Sequence, residues 1–245
     1  MTVIESVITK RVILSMGGKG GVGKTNVMTG LAEWYRHHQI PVTLLDLDTE
    51  NKTRGSLTHF FGGAVPKVNI HTPEGLDAFL DFLDEGPPIV LADMGSGAGR
   101  VTHTWFDQMY APVSERGIAF TAVGVVTADP ASVESVLTWA DRLQRRVAYV
   151  IVENEIDAHA TFTYWRASAQ ALAFQHAFAP AVIQMAYRLP HLETTMRNHG
   201  VTLTEVVARQ TTVPELQLSK AVLRATAYRA QLFEQFERIK SVLLP

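Results

Sequence analysis

The sequence contains no cysteine. Disulfides, cysteine-ligated zinc, iron–sulfur clusters and thiol nucleophiles all need that side chain, so none of them operates within this chain. Also missing is an uncharged apolar run of about 18 residues, the length a membrane-spanning helix requires. Charge of one sign is not in excess either: 22 Lys+Arg against 24 Asp+Glu give a formal charge of −2. Nothing in that balance draws in a polyanion, so any nucleic-acid or membrane contact needs a local patch. The first apolar run follows Glu5 and ends in glycines and a lysine rather than a small-residue cleavage site. That argues against a secretory signal and makes the cytoplasm the expected location. What is present is a chain of 245 residues, 47% apolar, the arithmetic of a soluble globular protein. No repeat, low-complexity run or Pro/Ser-rich linker divides it, so residues 1–245 read as one domain, with Glu85–Pro88 a loop before a strand.

Short β-rich runs alternate with longer segments of helical periodicity, the pattern of an α/β fold with a mostly parallel sheet and helices on both faces. Strands are expected at Arg11–Met16, Val42–Leu47, Lys67–His71, Ile89–Asp93, Ile118–Val126, Val147–Val152 and Ala181–Met185. Most are nearly unbroken apolar runs, as strands covered on both faces are. Helices are expected at Lys24–His37, Glu74–Leu83, Val101–Tyr110, Ala131–Arg145, Phe162–His176, His191–His199, Leu203–Arg209 and Pro214–Val242.

Directly after the first strand, Gly18, Lys19, Gly20, Gly21, Val22, Gly23, Lys24 and Thr25 satisfy G-x-x-x-x-G-K-S/T, and Asn26 continues into a helix. The strand–loop–helix setting is the one this phosphate-binding loop needs. Glycines let the backbone close around an anion, so that successive N–H groups and the helix N-terminus face the phosphates. Lys24 reaches the β- and γ-phosphates and the Thr25 hydroxyl sits on Mg²⁺. The additional lysine near the start of the loop, Lys19, makes the segment resemble the deviant Walker A motif of the ParA/MinD ATPases. The resemblance implies a P-loop ATPase fold with ATP and Mg²⁺ as cofactors, and a homodimer that forms on ATP binding. In that arrangement Lys19 crosses to the partner's phosphates, a charge clamp comparable to an arginine finger.

Two acidic sites extend the likeness. Asp46 and Asp48 leave the second strand at the sheet edge where ligands of open α/β sheets bind,. They resemble the family's switch I, which implies that Asp48 orients the attacking water and lies near the metal. The family's usual D-P-Q continuation is replaced by Asp48, Thr49, Glu50 and Asn51; a helix N-cap is the plainer role for such an aspartate. The apolar strand Ile89–Asp93 followed by Met94 and Gly95 resembles Walker B and switch II. It implies a metal set of Thr25, Asp48 and Asp93, with Gly95 letting a backbone N–H approach the γ-phosphate.

Asn154, at the end of a further strand, stands where relatives bind adenine; Asn154 to Asp157 also looks like a guanine-reading N-K-x-D with Glu155 in place of its lysine. Pro190 either covers a purine face or is a plain turn proline. His37 and His38 face different helical sides and cannot chelate one ion as an i,i+4 pair can. Met94, Met185 and Met196 read as core or loop, and Ser96 lacks the outer glycines of a nucleophile elbow. The last segment carries an apolar stripe through Leu218, Val222, Ala225, Leu232, Phe236 and Leu243. From Arg188 onward there are eight basic and five acidic residues, open to DNA contact, to membrane contact or to a packed helix with a solvated face. The resemblance implies a slow ATPase switch stimulated by a partner protein, positioning DNA cargo in plasmid partition or conjugative mobilisation. It places the protein in the cytoplasm, on the nucleoid where DNA is contacted. A MinD-like membrane- or pole-positioning ATPase and a small-molecule ligase or kinase of the same superfamily are the alternatives.

Overall fold

The computed structural model describes residues 7–48, 55–95 and 99–245. Six parallel strands, β1 (Lys10–Met16), β2 (Val42–Asp46), β3 (Ile89–Asp93), β4 (Ile118–Val126), β5 (Ala148–Asn154) and β6 (Ala181–Met185), form one sheet in the order β2-β3-β1-β4-β5-β6. Every residue of β1 is buried. Because side chains alternate along a strand, Ile13 joins one core while Val12 and Leu14 join the other,. The strand order reverses at β1, which opens a crevice at the carboxyl edge of the sheet.

One face is covered by α1 (Lys24–His37), α2 (Leu57–Phe61), α8 (Pro190–His199), α9 (Leu203–Val207), α10 (Pro214–Gln217) and α11 (Ser219–Arg238). The other is covered by α3 (Pro73–Asp84), α4 (Gly99–Ser114), α5 (Pro130–Leu143), α6 (Thr163–Ala167) and α7 (Ala169–Phe178). The fold is the doubly covered parallel α/β architecture of P-loop NTPases. Helix starts follow local chemistry: Thr72 accepts from the Gly75 N–H ahead of α3, and Asp129 from the Ala131 N–H ahead of α5,.

Three expectations need correction. Lys67–His71 is not a strand: Lys67 alone bridges to Asp46. Asn69 Oδ1 accepts from the His71 N–H at 3.1 Å, a side-chain turn that competes with ladder pairing just before α3 begins,. The helix expected over Phe162–His176 breaks at Ser168, whose backbone is extended and whose side chain caps α7 through the Ala171 N–H. The final helix breaks at Leu218 (φ −63°, ψ 140°), which is exposed rather than part of the apolar stripe. Beyond it, α11 buries Ala221, Ala225, Tyr228, Leu232 and Phe236 against the sheet side. The short α2 was not expected at all.

Candidate nucleotide-binding site

The loop between β1 and α1 is built on backbone angles that side chains resist. Gly17, Gly21 and Gly23 have φ of 102°, 74° and 100°. Gly23 precedes α1 with no side-chain cap, so the first N–H groups of that helix remain for an anion,. A Cβ at Gly23 would also lie 2.5 Å from Asn154 Nδ2. Gly20, Gly21, Val22, Gly23, Lys24, Thr25 and Asn26 line one wall of a cleft of about 460 Å³, with Asp48, Met94 and Asn154 beside them. That volume lies within the range of small-ligand sites.

Lys24 is buried at the head of α1. Its Nζ donates to the Lys19 carbonyl at 2.8 Å. Burial lowers its pKa, while the charges of Asp93 and Asp48 hold it up. Asp93, at the end of β3, is buried. Burial pushes its pKa up to about 6, against the hydrogen bonds from Thr25 and Ser15 that pull it down. Ser15 Oγ donates to its Oδ1 at 3.0 Å, and its Oδ2 is buried without a partner. An orphaned carboxylate oxygen beside the Thr25 hydroxyl and near Asp48 suits a hard divalent cation. Among the described residues no group of three His, Cys, Asp or Glu side chains is placed to hold a metal ion on its own.

The two aspartates leaving β2 have separate tasks. Asp46 is structural: its Oδ1 accepts from the Asp48 N–H at 3.1 Å, and its Oδ2 accepts from the Thr58 hydroxyl at 2.9 Å. Asp48 lines the cleft. A Cβ at Gly95 would come within 2.5 Å of Asp48 Oδ1, so the absence of a side chain at Gly95 makes room for that carboxylate. Asn154 donates from Nδ2 to the Val22 carbonyl at 2.8 Å and so ties β5 to the loop.

Lys19 and Gly18 are not part of the cleft wall. The Lys19 ammonium lies 3.1 Å from Asp129, and its backbone N–H donates to Ser135 Oγ at 3.0 Å, both on or beside α5. Pro190 is the exposed first residue of α8 and is likewise absent from the wall. In its place α8 supplies Glu193, Arg197 and Asn198. Sequence reasoning stopped at the proline; the i,i+4 spacing of Glu193 and Arg197 on the expected helix was the available signal. Thr49–Asn51 and Ser96 lie outside the described residues.

The family model of the CobQ/CobB/MinD/ParA nucleotide binding domain matches residues 13–238. The chain belongs to this family. The matched stretch runs from β1 to the end of α11 and contains every element that lines the cleft. Among solved structures, the chain is similar to MinD of Aquifex aeolicus in the MinC:MinD cell division protein complex, with 14% identity and a TM-score of 0.53 over 96% of this chain and 98% of that one. MinD of the same organism gives 14% identity and a TM-score of 0.52 over the same shares. A nucleotide-binding protein of Archaeoglobus fulgidus in complex with ADP is 20% identical over 78% of this chain and 86% of that one, with a TM-score of 0.48. No curated protein matches the sequence. As a member of the CobQ/CobB/MinD/ParA family, the protein is a P-loop nucleotide-binding domain.

Proposed function

We propose that the protein is a Mg-ATP-dependent, dimerising ATPase switch of the ParA type, which positions DNA cargo in plasmid partition or conjugative mobilisation. The observation that carries this reading is the placement of Lys19. It belongs to the phosphate loop by sequence, yet its ammonium lies outside its own cleft, in an exposed ion pair with Asp129. Exposed pairs contribute little to stability, so the lysine is free to exchange Asp129 for a partner's nucleotide. Hydrolysis moves a water oxygen onto the γ-phosphorus as the bond to the β-bridging oxygen breaks, giving ADP and phosphate. Lys24 holds the β- and γ-oxygens, Asp48 orients the water, and Thr25 and Asp93 would hold the metal. When bound, Mg²⁺ supplies charge neutralisation on the phosphates. A stimulating partner protein accelerates a slow basal rate. The packing of α11 into the core favours DNA over a membrane as the surface contacted, because its apolar face is already covered. No described helix is long and apolar enough to cross a membrane.

The test compares wild type with Lys19→Ala by light scattering and phosphate release, in ATP and in ADP. The wild type should dimerise in ATP alone. Lys19→Ala should still bind ATP but stay monomeric, with hydrolysis reduced at least about tenfold, the scale of a lost transition-state cation. Unchanged dimerisation and turnover in Lys19→Ala would sink the switch reading and favour a ligase or kinase of the superfamily.

A further inference from the structure

We infer that Arg197 on α8 is a second nucleotide contact made by the same chain, a cation on the ribose and α-phosphate side of the cleft that acts alike on ATP and ADP. The inference rests on the nucleotide-binding reading and assigns a residue that reading leaves out. The starting point is charge. Lys24 lines the cleft with Asp48 and feels the charges of both Asp48 and Asp93, which offset part of its positive charge before any ligand enters. A polyphosphate needs more cation than that. Lys19 is engaged on the α5 side with Asp129. Arg197 lines the cleft, is exposed, and has no ion pair among the described residues.

Its position follows from the helix that carries it. Glu193 Oε1 accepts from Asn26 Nδ2 at 2.7 Å, and Arg188 lies 3.5 Å from the same oxygen. That contact fastens α8 to the start of α1, just beyond Lys24 and Thr25. Residues four apart share a helix face, about 6 Å along, so Arg197 projects into the same cleft one turn on. Its backbone is held from α2, where the Arg197 carbonyl lies 2.8 Å from His59 Nε2, and its stem runs past Gly55, with Cδ and Cγ 3.7 and 3.8 Å from where a Cβ of Gly55 would stand.

The side of the cleft is decided by the chain order of the loop. Gly20 and Gly21 begin the loop and Asn26 ends it, so α8, docked on Asn26, borders the half away from the terminal phosphate. Asn154 and Ile156 line this half from β5 and the residues after it. A nucleoside leaving the phosphates in that direction passes Arg197 with its ribose and α-phosphate, the parts that ATP and ADP share. A guanidinium there forms charge-assisted hydrogen bonds with phosphate oxygens.

Fluorescent-nucleotide titrations of the full chain test this, using ATP and ADP with Arg197→Met, Arg197→Lys and Lys24→Ala. Arg197→Met keeps the apolar stem and removes the charge. It should raise Kd about tenfold for both nucleotides, on the scale of one charge-assisted contact, and should flatten the dependence of Kd on salt. Arg197→Lys should recover part of the loss, and neither variant should shift the melting temperature without nucleotide. Wild-type affinity and salt dependence in Arg197→Met, with Lys24→Ala defective, would overturn the assignment and leave the nucleotide reading intact. A loss confined to ATP would overturn it too, because it would move the charge to the terminal phosphate. Failure of the wild type to bind either nucleotide would instead remove the nucleotide reading itself.

Discussion

Asn154 joins two functions in one amide. Its Nδ2 donates to the Val22 carbonyl inside the phosphate loop, while the residue also lines the nucleotide cleft. Replacing the donor by an acceptor is therefore worse than removing it. Asn154→Asp would set a carboxylate against a buried carbonyl, whereas Asn154→Ala only leaves that carbonyl unpaired. An unsatisfied buried group costs about 1–3 kcal/mol, and more when charged. Urea unfolding and nucleotide titration should rank wild type above Asn154→Ala and Asn154→Asp last; an aspartate variant as stable as the alanine one would refute the role of the bond. The loop, Lys24, Asp48, Asp93 and Asn154 were legible because their chemistry is local: a residue type at a strand end. Asp46 was not legible as a structural residue, since its partner Thr58 lies twelve positions on and only the fold brings them together. Nor were Glu193 and Arg197, whose approach to the loop depends on how α8 crosses α1.

At the scale of elements, the same distinction between local and distant causes holds. The helix Lys24–His37 was read to the residue because its start and its periodicity are both written in neighbouring positions. The missed breaks at Ser168 and Leu218 lie inside continuous helical patterns, where a single extended residue interrupts the backbone without disturbing the apolar spacing. The tail after α11 is held by contacts that no periodicity encodes. Arg11 Nε donates to the Leu244 carbonyl at 2.6 Å, Thr121 Oγ1 to that of Val242 at 2.6 Å, and the Tyr35 hydroxyl to that of Leu243 at 2.8 Å. Two strands and one helix, distant in sequence, thus donate to the backbone carbonyls of the tail,. Leu243 is fully buried there, whereas Leu223 on α11 is 70% exposed. Leu243→Ala should cost about 2–5 kcal/mol, the range for buried leucines, and Leu223→Ala within about 0.5 kcal/mol. Equal costs in denaturant unfolding would mean that the tail does not belong to the core.

For the molecule as a whole, the dependence of stability on pH should carry the mark of Glu33, an acid buried in the middle of α1. Its Oε1 accepts from the Thr204 N–H at the start of α9, and its Oε2 has no partner. The groups facing it are Thr202 and Thr204 from the α8–α9 side and Arg229 from α11. Burial raises its pKa above the ordinary 4.5, and the bonds from Thr204 and Thr202 and the charge of Arg229 offset only part of that. A carboxyl with a raised pKa binds its proton more tightly in the folded chain than in the unfolded one. Its favourable contribution is therefore complete below the unfolded value and fades as pH climbs through the folded value, leaving a buried carboxylate that costs stability near neutrality. Glu33→Gln removes the titration and keeps an oxygen that can accept from Thr204. The difference in melting temperature, variant minus wild type, should rise as pH climbs above the ordinary carboxyl value of 4.5 and level off once the folded carboxyl has lost its proton, checked by thermal unfolding without nucleotide,. Because Asp93 and every other titrating group are common to both proteins, they cancel in this difference. A difference that stays flat with pH would show that Glu33 does not change protonation preference on folding.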